Sequence, residues 1–444
     1  MDLRYCFSAP AMLRINKSTW EDENPEDWIK VHSIMSEGIA RLQEDIKHRI
    51  PGMTFAMDVL FNAYTEKDMG ERISRMNNFG FEKLYADSGG LQIVTAGKTV
   101  DDSLKASIYK TQSTADYAMC FDEIPVRNKD GVSNDSKSNR SQTGNKVYFP
   151  KQKVATATKT AENIREQIEV LDKYGTPTTV HYIVQGNEYG DMIDWFADGA
   201  RVLTPEHYKR VGGIALADTC MGNGPLESID MLAAYHRIRD QFGESYTKNH
   251  IHLLGLGSVK RLMPVFYMRE SGFLPKDMTI SFDSTTFSMS YFMGRFTDKD
   301  GHKVEKGAHA YRKMFHQVWE YFGDIYTKHV PGCTEKEFVD HVVAEIRSLA
   351  GVINNSHDRI APVVRANITL TICWQILGFI KQVEHAMQKA KHDNSPLGRL
   401  RHVSTWDEFI KWRGEFGGKV KSLRITREPD KKLDDGSFDE FFVD

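Results

Sequence analysis

The sequence predicts an α/β protein: a (β/α)8, TIM-like barrel with a basic loop insertion and a mainly helical C-terminal extension. Three observations carry that expectation. Short β-type runs alternate with helical stretches between residues 54 and 282, the pattern of βα units and a parallel sheet. Nearly every run ends on a polar or glycine motif, and the C-terminal strand ends of such a barrel converge on one site. At 444 residues the chain suits one large barrel with additions, or two domains. An open doubly wound sheet would instead place its site at a switch point served by a few strands.

Residues 1–50 are expected to form an N-terminal helical segment. It opens with an apolar patch at 5–13 and continues as a helix over 25–46, where Trp28, Val31, Ile34, Met35, Ile39 and Leu42 recur at helical spacing. The barrel is expected over 51–300, with strands near 54–60, 83–87, 117–122, 178–185, 208–216, 251–256 and 278–282 and an eighth not located. Between the third and fourth strands lies an insertion, 126–153, rich in Asn, Ser, Gly and Lys. Within it Arg127, Lys129, Lys137, Arg140, Lys146, Lys151 and Lys153 face only Asp130 and Asp135. Such a composition fits a solvated loop or a phosphate-contacting arm that orders on binding.

Residues 301–444 read as mainly helical, with helices near 304–322, 335–349, 363–391 and 405–412. The segment 399–427 interleaves Arg and Lys, among them Arg399 and Arg401, with Trp406 and Trp412. That suits phosphate contacts with aromatic support, and equally a solvated appendage. The apolar run 368–380, interrupted by Thr369, Thr371 and Gln375, is short for a bilayer and is expected to be a buried helix.

With 27% charged and 40% hydrophobic residues the chain has the mix of a soluble globular protein, not of a disordered or membrane one. A net charge of −3 gives no global sign of a nucleic-acid partner, so a polyanion would be held by local patches. The cysteines are odd in number and scattered, and no apolar leader precedes the first. That predicts free thiols in a cytoplasmic, reducing setting.

The richest stretch is 85–92, Tyr-Ala-Asp-Ser-Gly-Gly-Leu-Gln. It displays Asp87 at a strand end and follows it with Ser88, Gly89 and Gly90, a turn that admits φ > 0 and lets a flat ligand approach the backbone. Further motifs follow: Phe-Asp-Glu at 121–123, Val-Gln-Gly at 184–186, Gly212-Gly213, Gly-Leu-Gly at 255–257 and Phe-Asp-Ser at 282–284. Taken singly each has a plain reading. Asp122 would cap a helix, Gln185 would bond a loop, and Asp283 would be an N-cap. Six motifs in one order are more specific than any one of them.

In that order they resemble the signature of the tRNA-guanine transglycosylase superfamily, over about residues 83–296. The resemblance implies exchange of a base on an intact nucleic acid. Asp283 would be the nucleophile and Asp87 the general acid/base, with Ser88, Gly89, Gly90, Asp122, Gln185, Gly212 and Gly213 binding the substrate. The chemistry itself asks for two carboxyl groups, because exchange with retention is a double displacement of the retaining-glycosidase kind. An ionised Asp122 accepts the N1–H and 2-amino group of guanine or 7-deazaguanine and rejects adenine. By the same resemblance Gln185 and the backbone of Gly213 read the carbonyl oxygen and 7-substituent, and Tyr182, Met119 and Met289 are candidates to sandwich the base.

The sequence departs from the family at Leu91, Ile124 and Asn187, which leaves the 7-substituent open. It also lacks the family's Cys-x-Cys-x-x-Cys zinc motif, keeping only Cys333 there, so no metal and no other cofactor is expected. His316, His329 and His341 are the remaining candidates for a rearranged site. Phe-Asp-Ser in place of Phe-Asp-Cys, the lost zinc motif and the unfamiliar ends of the chain bring it nearest to the 7-deazaguanine DNA transglycosylases of phage and bacterial modification systems. The expected partners are DNA, guanine and a base such as 7-cyano-7-deazaguanine (preQ0), with no membrane. Phosphate contacts are expected from Lys137, Arg140, Lys146, Arg399 and Arg401, and the target nucleoside must leave the stack. A tRNA-acting enzyme is the alternative. A non-catalytic nucleic-acid-binding subunit is a third reading, opposed by the presence of both Asp87 and Asp283.

Overall fold

In the computed structural model the barrel strands are β1 Asp2–Ser8, β2 Thr54–Asn62, β3 Leu84–Asp87, β4 Tyr117–Met119, β7 Thr179–Gly186, β8 Val211–Asp218, β9 His250–Leu253 and β10 Thr279–Ser284. They run parallel and close in the order β1-β10-β9-β8-β7-β4-β3-β2, as expected for a (β/α)8 barrel. Within the insertion, β5 Val126–Asn128 and β6 Lys146–Tyr148 form a separate antiparallel pair. The structure describes residues 1–9, 24–75, 77–95, 100–124, 126–128, 146–148, 150–186, 188–218, 225–284, 286–348 and 359–421.

β1 and β7 are buried along almost their whole length, because one face fills the barrel and the other lies under helices. The eighth strand is β1, in register with β2 from Asp2↔Thr54 to Ser8↔Leu60. The expected helical segment at 1–50 is therefore corrected: it opens with a barrel strand, and its helix is Pro25–Ile46, the span read from the periodicity. Arg4 had broken the apolar run. It is a buried residue whose charge is met by Asp58, Nε to Oδ2 at 2.7 Å and Nη2 to Oδ1 at 2.8 Å, and by Glu82 at 2.9 Å. A paired guanidinium is tolerated inside, but a sequence shows the charge and not the partner.

Packing divides the chain into two compact units that do not follow the expected boundaries at 51 and 301. The first comprises Met1–Phe61, Asp68–Tyr85 and Ser281–Lys389. In it Pro25–Ile46 packs on the wholly buried helix Ala361–Trp374, so closely that a Cβ on Gly38 would stand 2.6 Å from Leu370 Cδ2. Arg41 grips Asp324 of the helix Ala308–His329 through two bonds of 2.7 and 2.6 Å. Ala361–Trp374 continues after a turn at Gln375 as Ile376–Ala390. By length and composition this pair could cross a bilayer, contrary to the shorter run expected, yet its apolar window is entirely buried and serves as core.

The second unit comprises Asn62–Lys67, Ala86–Ile280 and the stretch from Ala390 on. The helices Pro150–Lys173, Tyr189–Ala200, Pro225–Phe242 and Val259–Glu270 alternate with β7, β8 and β9 and cover them. Trp406–Lys421 is tied to Pro225–Phe242 by Arg413, which holds Asp230 at 2.9 and 3.0 Å.

Candidate active site at the ends of β3, β4 and β7

β3 stops at Asp87, which is half-buried and whose backbone oxygen accepts from Ala63 N at 2.8 Å. Ser88 is buried, and its Oγ accepts from Gly90 N at 3.3 Å, closing the turn. The two glycines are required for different reasons. Gly89 has φ +79°, and a Cβ there would lie 2.5 Å from Tyr64 Cβ and 2.7 Å from Asn62 Oδ1. On Gly90 a Cβ would lie 2.9 Å from Asp122 Oδ1, so the missing side chain is the space the carboxylate occupies.

β4 ends early, at Met119, and 120–124 continue without regular structure. Side chains from the covering helices hold this segment. Asn163 Nδ2 donates to Phe121 O at 3.0 Å, and Glu123 N donates to Thr160 Oγ1 at 2.9 Å. Behind them the buried Gln112 donates to both Ala86 O (3.1 Å) and Met119 O (2.7 Å), and Gln167 donates to Gln112 at 2.7 Å. One amide thus clamps the ends of β3 and β4, fixing Asp87 relative to Asp122.

Asp122 is buried, and Gln185 near the end of β7 donates to its Oδ2 at 2.6 Å. Burial pushes the Asp122 carboxyl up to about 6, with the Gln185 hydrogen bond opposing. It is therefore an anion above that pH and a neutral acid below it.

Asp283 belongs to the first unit, half-buried at the C-terminal end of β10. The backbone oxygen of the next residue, Ser284, accepts from Tyr5 Oη at 3.1 Å. Tyr5 is enclosed by Phe7, Phe282, Phe287 and Phe379, with ring centroids 4.6 to 6.0 Å away. Burial drives its hydroxyl well above the usual range, and the Asp283 charge adds to this, so Tyr5 stays a neutral donor.

Gly212 and Gly213 are not brought to Asp122 and Gln185. They sit at the start of β8, where Gly213 lies opposite His181, whereas Gln185 lies opposite Ala217. Four positions along a strand is about 13 Å. Packing explains them: a Cβ on Gly212 would meet Thr179 Oγ1 at 2.2 Å, and one on Gly213 would meet His250 O at 2.6 Å and His181 Nε2 at 2.9 Å. His181, His250 and Tyr117 stack edge to face there, at 4.5 to 5.1 Å between centroids. Tyr182 turns away from the Gln185 face and packs on Phe196 at 5.2 Å. Met119 is buried, and the Met289 side chain lies outside the described residues.

Of the expected phosphate contacts, Lys137 and Arg140 lie outside the described residues, as does the side chain of Lys146, which opens β6. Arg399 lies over Phe416 at 5.1 Å, and Arg401 donates to Ala390 O at 2.6 Å. Trp412 is buried, donating to Pro396 O at 2.9 Å, so it packs inward and offers no stacking face. Among the described residues no group of three or more His, Cys, Asp or Glu is arranged to hold a metal. His316 pairs with Glu335, His329 with Glu37 at 3.0 Å, and His341 bonds Glu337 O at 2.8 Å.

Sequence reasoning passed over Tyr5, Gln112 and Gln167. Gln112 carried a signal, an amide on the same helical face as Ile108 and Tyr109, where an unpaired amide would be costly. No protein-family model and no curated protein matches the chain.

Proposed function

We propose that this protein is a guanine transglycosylase that replaces guanine in DNA by a 7-deazaguanine base. The observation that carries the reading is the Asp122–Gln185 couple, lying on the face of Gly90 from which a Cβ is excluded. A buried carboxylate with a neighbouring amide suits the guanine edge. Asp122 accepts from N1–H and the 2-amino group, and the second N–H of Gln185 donates to the carbonyl oxygen. Adenine presents an acceptor where Asp122 needs a donor, and such mismatches discriminate by about 10⁴-fold in sites built this way.

In this reading an oxygen of Asp283 attacks C1′ of the target nucleoside. The C1′–N9 bond breaks, and the electron pair left on N9 takes a proton from Asp87. The incoming base then gives its N9 proton to Asp87, N9 attacks C1′, and the ester bond to Asp283 breaks. Each carboxyl group returns to its starting state, and the phosphodiester chain is untouched. DNA is favoured as the polymer by the Phe-Asp-Ser motif and the absence of the tRNA enzymes' zinc motif.

The test supplies 7-cyano-7-deazaguanine with DNA and with tRNA in parallel, followed by nucleoside digestion and mass spectrometry. A 7-deazaguanine nucleoside is expected from DNA alone. Its appearance only in tRNA would reassign the polymer, and its absence from both would remove the activity.

A further inference from the structure

Asp122 stands on a face of the sheet that a simple continuation of β4 would not give it. In β4, Tyr117 lies opposite Thr179 and Met119 opposite His181. Side chains alternate across a strand, so Tyr117 and Met119 share a face with His181 and Gln185, and the Tyr117 ring meets His181 at 5.0 Å. Carried on to Asp122, the same register would set it opposite Val184, on the face where Tyr182 packs on Phe196. Asp122 is bonded instead to Gln185, at 2.6 Å. A break after Met119 has brought the carboxyl to the other side of the sheet.

Side chains make that break. Cys120 N still donates to His181 O at 3.0 Å, as in a ladder. The next rung of a parallel ladder would run from Ile183 N to Cys120 O, but Ile183 N donates to the Cys120 thiol at 3.2 Å. Two residues of the covering helix Pro150–Lys173 then take the backbone over. Asn163 Nδ2 holds Phe121 O at 3.0 Å, and Thr160 Oγ1 holds Glu123 N at 2.9 Å. Both are buried and lie one turn apart on one face of the helix. The Asn163 amide is oriented from behind. Lys105 is a buried lysine held by Glu166 at 2.5 Å, and it donates to Asn163 Oδ1 at 3.4 Å. An ammonium only donates, so it takes the oxygen of the amide and leaves Nδ2 for Phe121 O.

Resting on the transglycosylase reading, we propose that Thr160 and Asn163 are positioning residues for base selectivity. By holding Phe121 and Glu123 off the β4 ladder they keep Asp122 on the inner face, where it meets Gln185 and the guanine edge. Neither residue touches the base. Without these anchors the strand runs on in register and Asp122 turns to the outer face. Gln185 is then left to meet the purine carbonyl oxygen, a group that hypoxanthine shares with guanine. Selectivity for the 2-amino group is the property lost first.

The plain alternative is that both residues only fill the space between helix and sheet. Thr160→Val and Asn163→Leu keep that space filled and remove the anchors. Calorimetry on the full chain compares 7-deazaguanine with 7-deazahypoxanthine, which lacks the 2-amino group. The wild type should prefer 7-deazaguanine by about 100-fold, and each variant by about 10-fold or less. A wild-type preference in both variants would overturn the proposal. Thr160→Val, the smaller change, carries the test if Asn163→Leu does not fold. The Gln185 side-chain amide supplies a readout that needs no ligand, by NMR of protein labelled at its glutamine side chains. One Nε2 proton should be shifted downfield and slow to exchange in the wild type, assigned by its absence from Gln185→Glu. In Thr160→Val and Asn163→Leu it should return to the position of a free amide. An unchanged signal in both would overturn the proposal. Loss of the signal in a protein whose wild type binds neither base would support the positioning of Asp122 and count against transglycosylation alone.

Discussion

Gln185 of β7 and Asp122 of the segment that follows β4 are joined by a 2.6 Å hydrogen bond between their side chains, and this bond orients the one buried carboxylate among the base-reading candidates. Recognition of two donors on the guanine edge requires the anion. With the carboxyl raised to about 6, affinity for 7-cyano-7-deazaguanine should be full above that pH and fall roughly tenfold per unit below it. Calorimetric titration at pH 7.5 and 5 reads this directly. Asp122→Asn should bind about 100-fold more weakly or worse and show no such slope. Equal affinity of the wild type at both pH values would exclude Asp122 from base reading.

Gly89 and Gly90 should fail differently. Gly89→Ala places a side chain at φ +79° and against Tyr64, costing about 1–3 kcal/mol in denaturant unfolding. Gly90→Ala pushes on Asp122 Oδ1, so its larger effect should be on base binding, with stability changed by less than in Gly89→Ala. If both variants lose stability alike and Gly90→Ala binds the base as the wild type does, the space at Gly90 is not part of the pocket.

Covalent catalysis is tested by trapping. Wild-type protein and Asp87→Asn, mixed with oligodeoxynucleotide, should show a slowly migrating adduct on denaturing gels, and Asp283→Asn none. Asp283→Asn should lose exchange by about 10³-fold or more while binding DNA within a few-fold of wild type. Exchange near the wild-type rate would remove Asp283 as the nucleophile.

His181 gives a stability prediction. Burial, with His250 and His252 adding, holds its imidazole well below the ordinary value, so the folded form stays neutral while the unfolded chain takes up a proton below pH 6.5. Its contribution is full above about 6.5 and is lost as pH falls below it. Glu66 and Asp122 act in the opposite sense, since carboxyls raised to about 7 and about 6 contribute stability that is lost as pH rises through those values. The difference between proteins therefore isolates the histidine. Between pH 7.5 and 5.5 the wild type should lose about 1.4 kcal/mol relative to His181→Gln, read from urea midpoints. Parallel pH dependences would show that His181 does not titrate on unfolding.

Asp87, Asp122, Gln185 and Asp283 are legible in the sequence because each closes a short apolar run with a polar group, and a parallel barrel needs only that to carry them to strand ends. Gly213 is not legible in the same way. Its motif is intact, but its height in the barrel is set by the pairing of β8 with β7, which is a tertiary register. β1 is hidden by the charge of Arg4, whose partner Asp58 is 54 residues away. Trp412 misleads for the converse reason: alternation with basic residues looks like a binding face, while its indole has a backbone partner in Pro396.

β1 and β10 are neighbours in the barrel, yet about 270 residues lie between Ser8 and Thr279. During synthesis at roughly 5–20 residues per second, that gap lasts on the order of 15 to 50 s. Through that interval β1 can pair with β2 on one side only. Its other edge presents open backbone groups flanked by Leu3, Tyr5 and Phe7, a template for pairing with other chains. Nascent chains stalled between β9 and β10 are then the population most in need of a chaperone, and residues 2–8 are where it should bind.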